Sequence, residues 1–460
     1  MAVITKSKER EIIEDFAREI QQKRTTTVKP SKTIINFRTD MQDRNERTVY
    51  RVPIEILRYR KDNGRISSDV LDYETNVRPL DEREEESQKI IAGFLEKKDP
   101  EKTNILTKTI MHDGQRDPAI ITCDGFLING NRRKMVMEKL RREYPDDENY
   151  AYMKVVILPG KDEEGGPPTL LEIEKLENRY QLQSDGKAEY YNFDRALSIK
   201  RKIYMGLSLE EQLLDDPRYA NASKGQLEKA IREYEKQYLK PLECVDRYLR
   251  QFRREGLYST ISTGQSDPEG RWQAFYDYSN TYSNYLQNQK KLYQLGIEED
   301  EVGTIEEAAF DMIRLRTIKE MPKIHTVMRN LPKYLNTTEG KKEIMRIAEE
   351  VETSIPKDQY FDEKGNPLSS FEIDAKWAAQ NQQPIIYHAR KAARLYEDQK
   401  EQETPLQLLN DAYKKLIHEQ MDIDTLPESH YKEALKLSEK IKNRADELKH
   451  KIYMLLKASK

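Results

Sequence analysis

The segment from Gly130 to Arg133, Gly-Asn-Arg-Arg, carries the residues whose types and spacing are best suited to chemistry. It opens directly into a helical pattern, and the first amide groups of a helix lack intrahelical acceptors at the positive end of the helix dipole. A glycine lets the main chain approach a ligand closely, and two neighbouring guanidinium groups match the oxygens of a phosphate. The segment therefore predicts a nucleotide phosphate site. Paired arginines early in a helix are also common as plain surface charge, and that interpretation stays open.

Several other kinds of site are missing from the sequence. The six histidines (112, 325, 388, 418, 430 and 450) are scattered, and no Cys/His spacing resembles a zinc site. There is no GxxxxGK[ST] phosphate loop and no GxSxG nucleophile elbow. Cys123 and Cys244 alone cannot build a disulfide framework, which favours a reducing, cytoplasmic compartment. No run of about 18 apolar residues occurs, so we expect no membrane span.

The elements that must position the Gly130–Arg133 segment form a small α/β region. Residues 1–47 are interpreted as an arm, with one charged helix of non-signal-peptide type followed by a loop. The α/β region covers residues 48–160. It begins with a strand-like run, VYRVPIEIL, and continues with a helix whose first turn is rich in acids, DEREEESQKIIAGFLEK. PAIITCDGFLING predicts a β-hairpin, NRRKMVMEKLRREY a helix and AYMKVVILPG a buried strand.

A Gly- and Pro-rich linker at residues 159–168 follows the α/β region. Residues 169–262 are almost wholly helical in pattern, and residues 271–460 form a further helical region. The last helix repeats apolar residues at a mean spacing of roughly 3.5, which fits a coiled coil or an intrachain helical hairpin. These residues are Ala434, Leu437, Ile441, Ala445, Leu448, Ile452 and Leu455. The pattern as a whole predicts an α+β chain.

Three short motifs, with a turn between the first and the second, follow one another in a suggestive order. They are Asn76-Val77-Arg78-Pro79, Gly114-Gln115-Arg116-Asp117-Pro118, Gly130-Asn131-Arg132-Arg133 and Glu177-Asn178-Arg179-Tyr180-Gln181. Their order over residues 49–255 resembles that of the ParB/sulfiredoxin superfamily, and specifically of ParB partition proteins. The resemblance implies a small ParB/sulfiredoxin-like α/β domain at the N-terminus, followed by mostly α-helical central and C-terminal domains.

The resemblance also implies a role for each motif. Gly130, Asn131, Arg132 and Arg133 would form the phosphate-binding turn of a nucleoside triphosphate site, for CTP or ATP. Arg78, Gly114 and Gln115 would line the same pocket. Glu177 and Asn178 would hold Mg²⁺ on the triphosphate, a task suited to oxygen ligands. Without the resemblance, Glu177 and Asn178 would be assigned to a solvated helix face.

Two departures from the family pattern bear on catalysis. Asn131 stands where ParB proteins usually have Glu, which puts hydrolysis in doubt more than binding. Sulfiredoxins need a Cys in this loop, whereas Cys123 lies on the preceding hairpin, so a reductase function is not expected. Other relatives are free-serine kinases, and Asp113, Asp117 or Asp124 could lie close enough to act as a base. The Asp124-Gly125 pair also fits a simple hairpin turn.

In ParB proteins a helix-turn-helix follows the last motif, and its counterpart here is GLSLEEQLLDDPRYANASKGQLEKAIREY. Ser223 is placed to cap a recognition helix. The side chains that would face DNA are Lys224, Gln226, Lys229 and Arg232. Residues 224–254 hold nine Lys/Arg and five Asp/Glu, a balance of +4. The segment between the two helices is longer than the usual turn, so a helical bundle without DNA contact remains an alternative.

The leading hypothesis is therefore a cytoplasmic, nucleoid-associated, nucleotide-dependent DNA-binding protein of the ParB type. It would be a homodimer that closes around DNA, with NTP hydrolysis an open question. The second hypothesis is a phosphotransferase, nucleotidase or nuclease acting through the Gly130–Arg133 turn. The third is a non-catalytic adaptor of a mobile element or defence locus, with a protein partner bound by the C-terminal helices.

Overall fold

The protein is a mixed α+β chain, as the sequence predicts, with a small sheet near its N-terminus and helices elsewhere. The structure is a computed structural model. It describes residues 9–26, 31–35, 37–38, 46–98, 100–182, 192–216, 218–219, 221–258, 261, 270–354, 360, 362, 368 and 370–458.

The strands within those residues are β1 (Thr25–Thr26), β2 (Lys32–Ile34), β3 (Glu46–Thr48), β4 (Tyr50–Pro53), β5 (Ala119–Ile121), β6 (Leu127–Asn129) and β7 (Tyr152–Ile157). The helices of the α/β region are α1 (Glu14–Lys23), α2 (Ser67–Asn76), α3 (Glu85–Lys97), α4 (Pro100–Asp113), α5 (Asn131–Glu143) and α6 (Leu170–Leu182). The helices that follow are α7 (Asn192–Tyr204), α8 (Leu209–Leu214), α9 (Lys224–Tyr234), α10 (Lys240–Gln251), α11 (Gly270–Thr281), α12 (Gln289–Leu295), α13 (Glu301–Leu315), α14 (Ile324–Tyr334), α15 (Thr338–Glu350), α16 (Ser370–Leu416) and α17 (Tyr431–Ala458).

The main sheet has five strands in the order β1-β4-β7-β5-β6. β5 runs parallel to β7, while β5 and β6 form the predicted antiparallel hairpin. Successive residues of these strands point to opposite faces, and both faces are apolar. Ile121 and Val155 pack on one face with α3, α4 and α5, whereas Ile120 and Val156 pack on the other.

The second face of the sheet is covered by α6, which contributes Ile173 and Leu176. The strands therefore end before the Gly- and Pro-rich linker, but the hydrophobic core of the sheet includes residues that follow it. The physical reason is that a sheet with apolar side chains on both faces needs a layer on each side.

The N-terminal segment is integral to this region and is not an appended arm. Ile20 of α1 belongs to the core beneath the sheet, and β1 pairs antiparallel with β4. Nη1 of Arg10 donates to both carboxylate oxygens of Asp124 at 2.7 Å. The backbone N–H of Ile13 donates to the same carboxylate at 3.0 Å. Asp124 is fully buried, so the hairpin turn anchors the N-terminal segment.

The helices after α6 build a second core, which is rich in aromatic rings. The ring of Tyr248 lies edge-on to those of Phe252, Phe275 and Phe310, with centroids 4.8–5.7 Å apart. Such edge-to-face contacts add to the stabilisation from burial alone. Trp377, near the start of α16, packs against Phe252.

The chain divides into two compact units, residues 1–393 and 394–460. In the second unit no side chain between Arg394 and Ala458 is buried. Its large exposed apolar side chains include Leu406, Leu408, Tyr413, Ile417, Leu435, Leu437, Ile441, Ile452 and Leu455. Across the described residues, no helix is both long enough and apolar enough to cross a membrane.

Candidate phosphate-binding site

The turn that joins β6 to α5 requires glycine at position 130. Gly130 has φ +101°, in the left-handed region that glycine adopts without strain. A Cβ at this position would lie 2.7 Å from Cβ of Ala119 and 3.3 Å from Cε of Met153. The glycine therefore lets the turn pass close to β5, and the local packing imposes this requirement without any ligand.

The first turn of α5 places main-chain amides and the buried side chain of Asn131 at the start of a helix. The helical ladder begins where the N–H of Lys134 donates to the carbonyl of Gly130 at 2.9 Å, so the amides of residues 131–133 have no intrahelical acceptor. Asn131 is only 6% exposed, and no group among the described residues bonds to its Oδ1. A buried amide oxygen without a partner is costly, and such atoms commonly mark a ligand or water position.

Arg132 and Arg133 are both half-buried on this first turn. Nη1 of Arg133 donates to the main-chain carbonyl of Asp117 at 2.5 Å, which ties α5 to the turn before β5. Burial lowers the pKa of the Arg133 guanidinium, and the charge of Asp117 opposes that effect. The guanidinium nevertheless stays charged at neutral pH, so it can meet an anion at the start of α5.

The turn at Gly114 and Gln115 has a structural function. Gly114, with φ +70°, ends α4. Gln115 is buried, and its Nε2 donates to the carbonyls of Asp117 and Lys154 at 2.9 and 2.7 Å. Its Oε1 accepts from the N–H of Lys154 at 2.6 Å. All of these bonds go to the main chain, so Gln115 braces the turn against β7 and does not offer its amide to a ligand.

Arg78 is held by acids at the start of α3. Its guanidinium pairs with Glu84 at 2.9 Å and with Glu86 at 3.1 Å. Among the described residues, no hydrogen bond or ion pair joins it to the Gly130–Arg133 turn. The structure therefore does not bring Arg78 together with the other predicted phosphate ligands.

Arg60, a buried arginine that the sequence did not identify as a candidate, lies beside Glu177. Arg60 follows β4 and is buried between Glu174 and Glu177, at 3.3 and 3.8 Å. Oε1 of Glu177 also accepts from the N–H of Gly64 at 3.2 Å. The only sequence signal was local: Glu174 and Glu177 are three residues apart, so they share a helix face.

Glu177 and Asn178 belong to a buried network of charges. Arg201 of α7 pairs with Glu174 at 2.7 Å and lies 3.8 Å from Glu177. Burial raises the pKa of Glu177, and the neighbouring Glu174 adds to the shift. Nδ2 of Asn178 donates to the carbonyl of Gln212, and its Oδ1 accepts from Nζ of Lys202, both at 3.0 Å. Burial lowers the pKa of Lys202 to about 8.

The predicted Mg²⁺ ligands do not fit a metal ion in this arrangement. Both amide atoms of Asn178 are already bonded, and two guanidinium groups neutralise the carboxylates of Glu174 and Glu177. In the described part of the chain, no three His, Cys, Asp or Glu side chains come together in a way that could hold a metal. Glu177 and Asn178 join α6 to α7 and α8, which is a structural function.

Two of the three candidate bases, Asp124 and Asp113, are engaged elsewhere. Asp124 binds Arg10, and its Oδ1 accepts from the hydroxyl of Thr122 at 2.6 Å. Asp113 pairs with His112 at 2.7 Å and Arg116 at 2.6 Å, and the hydrogen bond from His112 is the main reason that its pKa is lowered. Burial raises the pKa of Cys123 to about 12, so it is a thiol at neutral pH.

The two helices predicted for the helix-turn-helix are present as α8 and α9, and Ser223 caps α9 as expected. Its Oγ accepts from the N–H of Gln226, whose Oε1 in turn accepts from the N–H of Ser223 at 2.8 Å. Leu227 and Ala230 are buried on the inner face. The four predicted DNA-facing side chains, Lys224, Gln226, Lys229 and Arg232, are all exposed on α9.

Comparison of the chain with protein-family models, with curated proteins and with solved structures finds no match. The ParB/sulfiredoxin resemblance therefore rests on the sequence motifs and remains a prediction.

Proposed function

We propose that the chain binds the phosphates of a nucleoside triphosphate at the start of α5 and acts as a nucleotide-dependent DNA-binding protein of the ParB type. One observation carries the proposal. The first turn of α5 joins the N-terminus of a helix, a nine-tenths-buried Asn131 with an unpartnered Oδ1, and the guanidinium groups of Arg132 and Arg133.

Phosphate is the ligand that best fits this combination. The dipole of α5 favours an anion at the start of the helix. Each charge-assisted hydrogen bond from an arginine is expected to contribute about 1.5–3 kcal/mol. Asn131 can accept a hydrogen bond from a hydroxyl or amino group of the same ligand. Because Asn131 carries no charge, the turn lacks the carboxylate that ParB proteins have there, which supports binding over turnover.

Mg²⁺ enters the proposal as the counter-ion of the triphosphate and not through Glu177 and Asn178, since those side chains are already bonded to Lys202, Arg60 and Arg201. Nucleotide affinity should then change only modestly when Mg²⁺ is replaced by EDTA. A complete dependence on Mg²⁺ would mean that the Glu177–Asn178 network rearranges around a metal.

Calorimetric titration of the full chain with CTP, ATP, GTP and UTP, each with MgCl₂ and with EDTA, tests the proposal. Arg132→Ala and Arg133→Ala should each weaken binding by at least tenfold. Arg142→Ala is the matched control, because Arg142 is exposed in the last turn of the same helix. Absence of binding by all four nucleotides, or undiminished affinity in both first-turn variants, rejects the site.

The exposed face of α9 supports the DNA part of the proposal. Lys224, Lys229 and Arg232 are exposed on α9, whereas Leu227 and Ala230 are buried, so the three cations can reach phosphates without any change of fold. The second unit, in which no side chain between Arg394 and Ala458 is buried, supports a homodimer.

The runner-up is a non-catalytic adaptor. It is favoured over an enzyme because Asp124 and Asp113, two of the candidate bases, are held by cations. Nucleotide binding without phosphate release, and without any DNA gel shift across a range of salt concentrations, would favour the adaptor. Release of phosphate in the presence of DNA or free serine would favour an enzyme.

A further inference from the structure

A separate cavity of about 440 Å³ lies among α10, α13 and α15 in the helical part of the first unit. Its polar lining includes Arg247, Arg250, Glu306, Glu307 and Asp311, and its apolar lining includes Phe310, Ala348 and Val351. The volume falls within the range of sites that take small organic molecules.

Asp311 is the unusual member of this lining. It is only 3% exposed, and its Oδ1 has no hydrogen-bond partner among the described residues. Buried carboxyl groups are ordinarily hydrogen-bonded or paired, because an isolated one loses its hydration without compensation. An unpartnered carboxyl oxygen at a cavity wall therefore indicates that its partner comes from a ligand.

The other charges of the lining are balanced or exposed. Nε and Nη2 of Arg247 bind the two carboxylate oxygens of Glu306 at 2.8 and 2.9 Å, and the hydroxyl of Tyr278 also donates to Glu306. Arg250 and Glu307 are exposed and carry opposite charges. The lining residue with an unpartnered atom, Asp311, is an acid. An acid favours a cationic ligand over an anionic one.

We propose that this cavity binds a small organic cation, a primary ammonium or a guanidinium, whose charged group hydrogen-bonds to the carboxyl of Asp311. The apolar surfaces of Phe310, Ala348 and Val351 would cover the alkyl part of the molecule. A charge-assisted bond in a site of low dielectric is stronger than the same bond in water.

Binding of the organic cation should release a proton from Asp311. Burial raises the pKa of Asp311 to about 8; the charge of Arg314 opposes the shift and that of Glu307 adds to it. The charged groups that face Asp311 across the cavity are Arg247 and Arg250 of α10, and α15 contributes the apolar Ala348. A bound cation favours the carboxylate, so affinity should rise as pH approaches 8 from below, by up to about tenfold per pH unit for one proton.

The test uses the full chain and calorimetric titration with pentylamine, ethylguanidinium and the neutral 1-pentanol at constant ionic strength. Both cations should bind at least tenfold more tightly than 1-pentanol. At pH 6.5, comparison of two buffers with different ionisation enthalpies should show release of most of one proton.

Asp311→Asn, which keeps the shape of the side chain, should weaken cation binding at least tenfold and abolish proton release. Glu307→Gln is the control, because Glu307 is an exposed acid of the same lining, and it should stay within threefold of the wild type. Equal binding of 1-pentanol, no binding of either cation, or unchanged affinity in Asp311→Asn overturns the proposal. If that variant does not fold, as judged by circular dichroism, the cation preference and proton release of the wild type decide the matter.

Discussion

Nζ of Lys202 donates a 3.0 Å hydrogen bond to Oδ1 of Asn178, and both side chains are buried. The bond joins α6 to α7, while Nδ2 of Asn178 reaches the carbonyl of Gln212 in α8. The residue that the family pattern offered as a metal ligand therefore holds three helices together.

The stability of the protein should depend on pH through Lys202. Burial lowers its pKa from 10.5 to about 8, so the folded chain holds this proton less tightly than the unfolded chain. The contribution of Lys202 to stability should therefore rise with pH between about 8 and 10.5, with a slope of at most about 1.4 kcal/mol per pH unit. Because the raised pKa of Cys123 acts in the opposite direction above about pH 9, the quantity to measure by urea unfolding is the stability of the wild type minus that of Lys202→Met, which should rise over this range. The exposed Lys89→Met serves as control, and parallel curves for Lys202→Met and the wild type would contradict the prediction.

Gly130→Ala should destabilise the chain by about 1–3 kcal/mol, because alanine is strained at φ +101° and its Cβ would meet Ala119. Gly93→Ala is the control. Gly93 lies inside α3 with no heavy atom within 4 Å of an added Cβ, so alanine should stabilise by about 0.5–1 kcal/mol. Urea unfolding measures both changes. If Gly130→Ala leaves the free energy of unfolding unchanged, the turn relaxes around the added Cβ and the prediction is wrong.

The Gln115→Leu variant tests whether Gln115 stabilises the fold or binds a ligand. Loss of its hydrogen bonds to Asp117 and Lys154 should reduce the free energy of unfolding by about 2–4 kcal/mol. The neighbouring Arg116→Ala, at an exposed site, should change it by less than about 0.5 kcal/mol. Unchanged stability together with lost nucleotide binding would show that Gln115 binds the nucleotide and does not support the turn.

DNA affinity should depend on salt through the exposed face of α9. Lys229→Ala and Arg232→Ala should each reduce the slope of log K against log salt concentration by about 1, because each removes one phosphate contact. Fluorescence anisotropy with a duplex at several salt concentrations measures the slope. Lys89→Ala, on α3, should leave it unchanged. Identical slopes in all three variants would mean that DNA binds another surface of the protein or does not bind at all.

Self-association should depend on the apolar side chains of α17. Ile441 and Ile452 are 40% and 45% exposed, and no side chain between Arg394 and Ala458 is buried. The double substitution of both residues by Glu should convert a dimer to a monomer in sedimentation equilibrium, because charges in a helical seam are strongly unfavourable. Lys440→Glu, which changes the exposed neighbour of Ile441 on the same helix, should remain dimeric. A monomeric wild type would exclude this interface.

The sequence alone determined the features that depend on neighbouring residues. The β5–β6 hairpin and the cap at Ser223 follow from turn chemistry and side-chain hydrogen bonding within a few residues. The start of α5 after Gly130 follows from the same local preferences. These elements appear where the pattern predicts them.

Contacts between distant segments were decided only by the tertiary structure. Arg10 with Asp124, Arg60 with Glu177, and Lys202 with Asn178 join residues that no local pattern connects. The unpartnered Oδ1 of Asp311 belongs to the same class, since its lack of a partner depends on which helices surround it. Burial and pairing arise from packing across long separations in the chain, and the same residue types elsewhere in this sequence lie on solvated helix faces.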